Sequence, residues 1–323
     1  MRGKVKGRHA VLHWFDQAVQ TLELRREQLD RLNVFPVPDS DTGSNMLAAV
    51  RTCRDAVAQT DQEDLGELLA VAGSSAMVEA HGNSGTLLAV LFSGFAEPLH
   101  GQDRLTVGGL ADALDRGSLR AWTALSEPVD GTMLSVLDSV RTEVRACANS
   151  APEPHSRAAL EESIGHAVVA ARGAVEATTD QLEVLRDAGV VDAGGAGLLL
   201  ILAALQASVS GTEVPAGILE GLQGIDRAAG PGGAPSGSDC PPSGAEGLVE
   251  IMATVHLDPL GAASLRHRLD ELGDSVIITP VDAESDAMGA YRWRIHVHTD
   301  RRDPTAETIR AAGSVEALTL TVL

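Results

Sequence analysis

The chain has 323 residues, and its 45 acidic against 25 basic side chains leave a formal net charge of −20 at pH 7. That balance excludes a nucleic-acid or anionic-membrane binder, since both surfaces repel an acidic protein, and the length is enough for two domains. The only lysines are Lys4 and Lys6, so no GxxxxGK[ST] phosphate loop is present. Cys53, Cys147 and Cys240 stand far apart without a CxxC pair, as in a reduced cytosolic protein rather than a disulfide framework. The N-terminal "MRGKVKGRHAVLHWF" has too short an apolar run for a signal peptide, and no 18-residue apolar span is read elsewhere. A cytoplasmic protein without a transmembrane segment is expected.

In chain order, helical periodicity dominates up to about residue 210. "AVLHWFDQAVQTLELRREQLDRL" places Val11, Trp14, Phe15, Val19 and Leu22 on one face. Further helices are predicted at 45–59, 64–79, 84–97, 107–124, 132–147, 158–176 and 195–209. Short connections rich in small residues recur between them: "DSDTGSN", "EAHGNSG", "EPVDGTM" and "VVDAGGAG". A rigid helical bundle can present several such loops together at its rim. Residues 211–246 are assigned to a linker, on the strength of the Gly/Pro/Ser-rich run "QGIDRAAGPGGAPSGSDCPPSGAE" at 223–246. Beyond it the period changes. "GLVEIMATVHL" and "YRWRIHVHT" alternate like strands, while "PLGAASLRHRLDEL" and "PTAETIRAAG" read as helices. The organisation expected is therefore a helical domain over 1–210, a linker over 211–246 and a small α+β domain over 247–323, with no internal repeat.

Two aspartates, Asp39 and Asp41, flank Ser40 just before a predicted helix. At this spacing a turn can aim both carboxylates at one hard cation, and Mg²⁺ commonly takes one or two carboxylates plus substrate phosphates. Thr42 to Asn45 follow where the helix begins, a place suited to an anion. Helix capping is the simpler reading, since Asp, Ser, Thr and Asn are all preferred N-caps. "GNSG" at 82–85, "DGTM" at 130–133 and "DAGGAG" at 192–197 allow the same two readings, and four such loops exceed what capping requires. In the second module His296 and His298 alternate on one strand with Arg292 and Arg294. Two histidines at this spacing can share zinc when a third ligand comes from another strand. A solvent-facing polar edge is the simpler alternative.

Together the loops resemble a known family. "LNVFPVPDSDTGSNM" is similar to LNVFPVPDGDTGTNM, the signature of the nucleotide-binding domain shared by the dihydroxyacetone kinase L subunit and the bacterial fatty-acid kinase catalytic subunit. "AHGNSGTLLAVLFSGF", "EPVDGTMLSVLDSVR" and "LRDAGVVDAGGAGLLLIL" resemble its other three loops, in order, across residues 8–209. The resemblance implies an all-α antiparallel eight-helix barrel with ATP or ADP and Mg²⁺ at one end, followed by the small α+β domain. It implies Mg²⁺ ligation by Asp39 and Asp41, with Asn33 as a further ligand or loop anchor. Nucleotide contacts are implied for Thr42, Ser44, Asn45 and Met46, for Gly82, Asn83 and Ser84, for Gly131, Thr132 and Met133, and for Asp192, Gly194 and Gly195.

The second module resembles the middle domain of the fatty-acid kinase subunit, in which two strand histidines and a cysteine bind zinc. His296 and His298 match the histidines, Leu248 stands at the cysteine position, and His256 or Cys240 are the substitutes at hand. Ser40 replaces a glycine, His81 stands where arginine is usual, and the family's third, C-terminal domain has no counterpart in the sequence. The resemblance implies phosphoryl transfer from Mg-ATP to an acceptor presented by a partner protein. The acceptor is a fatty-acid carboxylate on a fatty-acid-binding protein, or else dihydroxyacetone on a K-type subunit. A non-catalytic nucleotide-binding regulatory module of the same fold is the alternative, and a homodimer is compatible with either.

Overall fold

The computed structural model describes residues 6–225, 247–282 and 284–323. The Gly/Pro/Ser-rich run therefore lies, from residue 226 to 246 with Cys240, outside the described residues. Nine helices occupy the first stretch: α1 (Gly7–Leu32), α2 (Thr42–Gln59), α3 (Leu65–Glu79), α4 (Gly82–Leu99), α5 (Val107–Ala124), α6 (Met133–Ser150), α7 (Arg157–Gln181), α8 (Glu183–Ala188) and α9 (Ala193–Ser210). Eight helices were expected. The additional one is α8, a six-residue turn of helix ended by Gly189 in the left-handed conformation.

Each long helix packs on the next, and α9 packs back on α1, so the ring closes. Short loops join neighbours that run in opposite directions. The α1 face forecast from periodicity is the buried one, with Phe15 and Leu22 fully enclosed. Trp14 stacks on Phe15 with ring centroids 4.9 Å apart, and both meet Phe92 of α4 edge-on. The indole N–H of Trp14 donates to the Ile201 carbonyl of α9 at 3.1 Å, so its one polar atom is satisfied in the core. α9 itself is long and apolar enough to pass for a membrane span, which corrects the expectation of no 18-residue apolar stretch. It is instead the hub of the ring, packed by α1, α2, α6 and α7 and mostly buried.

Residues 211–225, expected as the start of the linker, pack onto the ring. Leu219, Leu222 and Ile225 are buried, and Arg172 of α7 donates to the carbonyls of Ile218 and Glu220.

The second stretch runs β1 (Val249–Leu257), α10 (Pro259–Asp270), β2 (Asp274–Pro280), β3 (Tyr291–Thr299), α11 (Arg302–Ala312) and β4 (Ser314–Val322). The strands form one antiparallel sheet in the order β2-β3-β1-β4, a split β-α-β arrangement. Two of them, β2 and β4, were not anticipated from sequence. Period-two alternation gives β1 and β3 two different faces. Ile251, Ala253 and Val255 with Ile295 and Val297 pack against Leu265, Leu269 and Ile309 of the helices. The opposite face carries Glu250 and Thr254 with Arg294, His296 and His298, all of them buried. This polar face meets the helical ring, where Ser126 N–H donates to the Val276 carbonyl at 3.0 Å and Leu125 bridges Ile277.

Candidate functional site at the mouth of the ring

In an up-and-down ring alternate loops lie at the same end. The loops at 33–41, 80–81, 125–132 and 189–192 are such alternates, so the N-termini of α2, α4, α6 and α9 open on one mouth. They surround a cleft of about 720 Å³ lined by Asn33, Asp39, Asp41 and Thr42, by Gly82, Asn83 and Ser84, by Thr132 and Met133, and by Asp192 and Gly194. The first-turn N–H groups of these helices have no intrahelical acceptor, and their dipoles aim positive ends at the cleft.

The question for Asp39 and Asp41 is whether they do more than cap. Asp41 occupies the N-cap position of α2, yet its carboxylate makes no capping bond. That role belongs to Asp30 of α1, which accepts from both the N–H and the hydroxyl of Ser44 at 2.8 Å. The Asn33 amide donates to Asp39 Oδ1. Burial, and then the charge of Asp41, push the Asp39 carboxyl up to about 7 against the opposing pull of Asn33. Two neighbouring carboxylates left without a capping task, one of them holding its proton near neutrality, fit a site completed by a divalent cation. The amide nitrogen Nδ2 of Asn45 and the amide oxygen Oδ1 of Asn83 are buried without partners. Asn45 lies against Gly82, where a Cβ would come within 2.3 Å of its Nδ2. Gly82, at φ 61°, keeps this contact open. These unpaired groups and the exposed backbone match the donors and acceptors a phosphorylated ligand requires.

Other expected residues stand beside the cleft without lining it. Ser44 turns to Asp30. Met46 is fully buried, its sulfur pressed on Gly197, where a Cβ would lie 2.3 Å away. Gly131 donates its N–H to Ser135 Oγ at 2.9 Å, and Gly195 donates to Asp192 Oδ2 at 2.6 Å. Asp192 therefore caps α9, and burial raises its carboxyl to about 6 despite bonds from Gly195 and Met133 that pull it down.

The second domain supplies the opposite wall through Leu248, Asp270, Gly273, Asp274, Ser275, Val276 and His298. His296 is fully buried and His298 is 3 % exposed, so they form an inner sheet face rather than the solvent-facing edge weighed above. His296 Nε2 faces Glu250 Oε1 at 3.0 Å and its Nδ1 faces the Ser275 carbonyl at 2.9 Å. Each ring nitrogen thus faces an oxygen acceptor of this chain, one a carboxylate and the other a backbone carbonyl. Burial alone would raise Glu250, but the hydrogen bond and charge of His296 and the Gly82 N–H outweigh it and hold the carboxylate at about 2. Burial and the neighbouring His296 lower His298 to about 3, which keeps it neutral. Glu250, His296 and His298 have the spacing of metal ligands, yet hydrogen bonds from this chain already claim His296 and Glu250. The contacts do not support zinc there. Of the two substitutes for the missing cysteine, Cys240 is outside the described residues and His256 pairs instead with Glu316 at 3.4 Å.

Asp30, Glu250 and Arg294 were not anticipated as site residues. A lone carboxylate near the start of a mostly apolar strand was the available signal for Glu250. The cleft is also strongly acidic. Asp39, Asp41, Glu127, Asp192, Asp270 and Asp274 line it, and among the described residues no lysine or arginine does.

Residues 36–207 match the family model described as the DAK2 domain. Uncharacterised proteins of Staphylococcus epidermidis RP62A and Staphylococcus aureus USA300 are each 32% identical over 200 residues, covering 62% of this chain and 35% of theirs. The chain thus spans about a third of the length of the curated relatives it matches. A crystal structure of the dihydroxyacetone kinase of C. freundii in complex with AMP-PNP and Mg²⁺ is similar at a TM-score of 0.46 and 24% identity, over 61% of this chain and 33% of that one.

Proposed function

The chain belongs to the DAK2 domain family, and from that premise we propose that it is an ATP-dependent phosphotransferase whose nucleotide binds, with Mg²⁺, in the cleft at the mouth of the helical ring. The observation that carries this reading is the division of labour at α2. Asp30 caps the helix, and Asp39 and Asp41 are left facing the cleft without a capping bond. Their carboxylates would hold the cation, with Asn33 steadying Asp39. The first turns of α2 and α4 would receive phosphate oxygens through the backbone N–H groups of residues 42–43 and 83–85, while Asn45 offers its unpaired amide Nδ2 as a donor.

Mg²⁺, when bound, supplies the charge neutralisation that phosphoryl transfer requires. A cleft whose described lining is acidic and holds no lysine or arginine repels a bare polyphosphate, so dependence on a divalent cation should be absolute. The acceptor we favour is a fatty-acid carboxylate presented by a partner protein, with dihydroxyacetone on a K-type subunit as the other candidate. A carboxylate oxygen is already nucleophilic and needs no general base. It would attack the γ-phosphorus as the bond to the β–γ bridging oxygen breaks, giving acyl phosphate and ADP.

The experiment is phosphoryl transfer by Asp39→Ala and Asp41→Ala with candidate acceptor proteins. Turnover should fall by orders of magnitude, about the scale of other lost electrostatic clamps; near-wild-type turnover refutes the assignment. One observation favours a second reading, a non-catalytic nucleotide-binding module: among the described residues no lysine or arginine lines the cleft to stabilise a transition state. Mg-ATP binding without turnover against any acceptor would select it.

A further inference from the structure

The loop that opens α4 is held from outside the ring, by two side chains of the second domain's inner sheet face. Arg294 of β3 donates from Nη2 to the Ala80 carbonyl at 3.1 Å and from Nη1 to Thr254 Oγ1 at 3.3 Å. Glu250 of β1 accepts the Gly82 N–H at Oε1, 2.9 Å away. The two contacts grip the chain on either side of His81. Between them they fix the peptide orientations that lead into the left-handed Gly82 and the first turn of α4. Glu250 and Arg294 are each 5 % exposed, so neither bond competes with bulk water.

Glu250 is itself held. His296 donates to the same Oε1 at 3.0 Å, and the Ser275 carbonyl fixes the other side of that ring. A chain of bonds thus runs from β2 through β3 and β1 to a backbone N–H at the mouth of the ring. The left-handed conformation at Gly82 is what seats this residue against Asn45, whose unpaired amide lies beside the cleft. A loop of small residues has little packing of its own to hold such a geometry, and the clamp does it from the neighbouring domain.

We propose that Glu250, seated by His296, is a positioning residue for the α4 phosphate-facing loop, so that docking of the α+β domain sets nucleotide affinity in the helical ring. The proposal rests on reading the cleft as a nucleotide site, and it adds a task for the second domain that the ring alone cannot perform. Glu250 touches no ligand in this scheme. It acts through Gly82.

The test uses the full chain, with Mg-ADP as the probe. Amide hydrogen exchange at Gly82 and Asn83 is measured without nucleotide, and Mg-ADP affinity by calorimetry, for wild type, Glu250→Ala and Glu250→Gln. Losing a hydrogen bond to a buried charged group predicts roughly a ten- to hundredfold weaker affinity for Glu250→Ala. Gly82 exchange should speed up while the core amides of α9 stay protected. Glu250→Gln keeps an oxygen acceptor for the Gly82 N–H and should recover most of both properties. In turnover, Glu250→Ala should raise the nucleotide KM more than it lowers kcat. Wild-type affinity and unchanged Gly82 exchange in Glu250→Ala overturn the proposal. Should Glu250→Ala fail to fold, a Glu250→Gln that folds with Gly82 exchange as fast as in a loop lacking any acceptor would overturn it equally. If wild type itself does not bind Mg-ADP, the nucleotide reading fails, and with it the proposal, whatever the exchange data say of the clamp.

Discussion

Asp41→Asn separates a metal clamp from a helix cap. In the structure Asp41 sits at the N-cap of α2 without a capping bond, and its charge helps to push the Asp39 carboxyl up to about 7. At pH 8 and without divalent cations the repulsion between Asp39 and Asp41 opposes folding. Both side chains are half-buried rather than enclosed, so solvent screening cuts the Coulomb cost from the few kcal/mol of a buried pair to about 1 kcal/mol. Replacing Asp41 by Asn removes that repulsion and keeps the shape. Metal-free Asp41→Asn should therefore melt about 2–4 °C above wild type, the shift expected for that energy in a chain of this size. Mg²⁺ should raise the Tm of wild type and leave the variant unmoved. Asp30→Ala should do the opposite, since it deletes the bonds to Ser44 that cap α2. It should lower stability by about 1 kcal/mol whether or not Mg²⁺ is present. Thermal unfolding of the three proteins in EDTA and in Mg²⁺ measures all six cases. A metal-free Asp41→Asn less stable than wild type, or one that responds to Mg²⁺ as wild type does, would refute the reasoning.

Ser40 adopts φ 58°, a left-handed conformation that costs a residue with a Cβ about 1 kcal/mol, so Ser40→Gly should raise the urea midpoint with the slope unchanged; a lower midpoint would refute the assigned strain. Gly82→Ala meets both a φ of 61° and the Asn45 amide at 2.3 Å, whereas Gly101→Ala has φ 78° and open space around its Cβ. Both should lose stability in urea, but Gly82→Ala should lose more and should also weaken Mg-ADP binding in calorimetry. The raised Asp39 carboxyl gives the pH dependence its sign. The folded chain holds this proton more tightly than the unfolded one, so metal-free stability from this group is complete below the ordinary value of 3.8 and is lost as pH rises to about 7. A cation competes with the same proton. Mg²⁺ affinity should therefore strengthen from pH 6 to pH 8, and calorimetry in buffers of different ionisation enthalpy should detect proton release.

The sequence was most legible where one physical signal acts alone. Periodicity located the long helices within a few residues, because each buries one apolar face, and the face around Phe15 and Leu22 is the buried one. Small-residue loops before α2, α4, α6 and α9 pointed to the cleft, since alternation in a ring carries them to one end. Legibility failed where partners are distant in sequence. Ser44 looked like a phosphate contact, yet it answers to Asp30, fourteen positions back on another helix. Met46 ends the signature motif, and helical geometry rotates it into the core against Gly197. β2 and β4 escaped notice because β4 is largely exposed and β2 is short and slips register between Asp274 and Ile277.

The histidine pair shows why local spacing under-determines chemistry. At i, i+2 on a strand, His296 and His298 share a face, and that much is fixed by the pleat. Whether the face meets water, a metal or protein depends on what the strand is packed against. Here the sheet turns its apolar face to its own helices and its polar face to the ring, and both faces are buried. A buried charged face is stable only when its groups find partners. Arg294 finds the Ala80 carbonyl, and Glu250 finds His296 together with the Gly82 N–H. Docking thus accounts for Glu250 and His296, while His298 lines the cleft with its Nδ1 unpaired. Because two of the partners are backbone groups of the α4 loop, the interface that needs those bonds also shapes one wall of the candidate site.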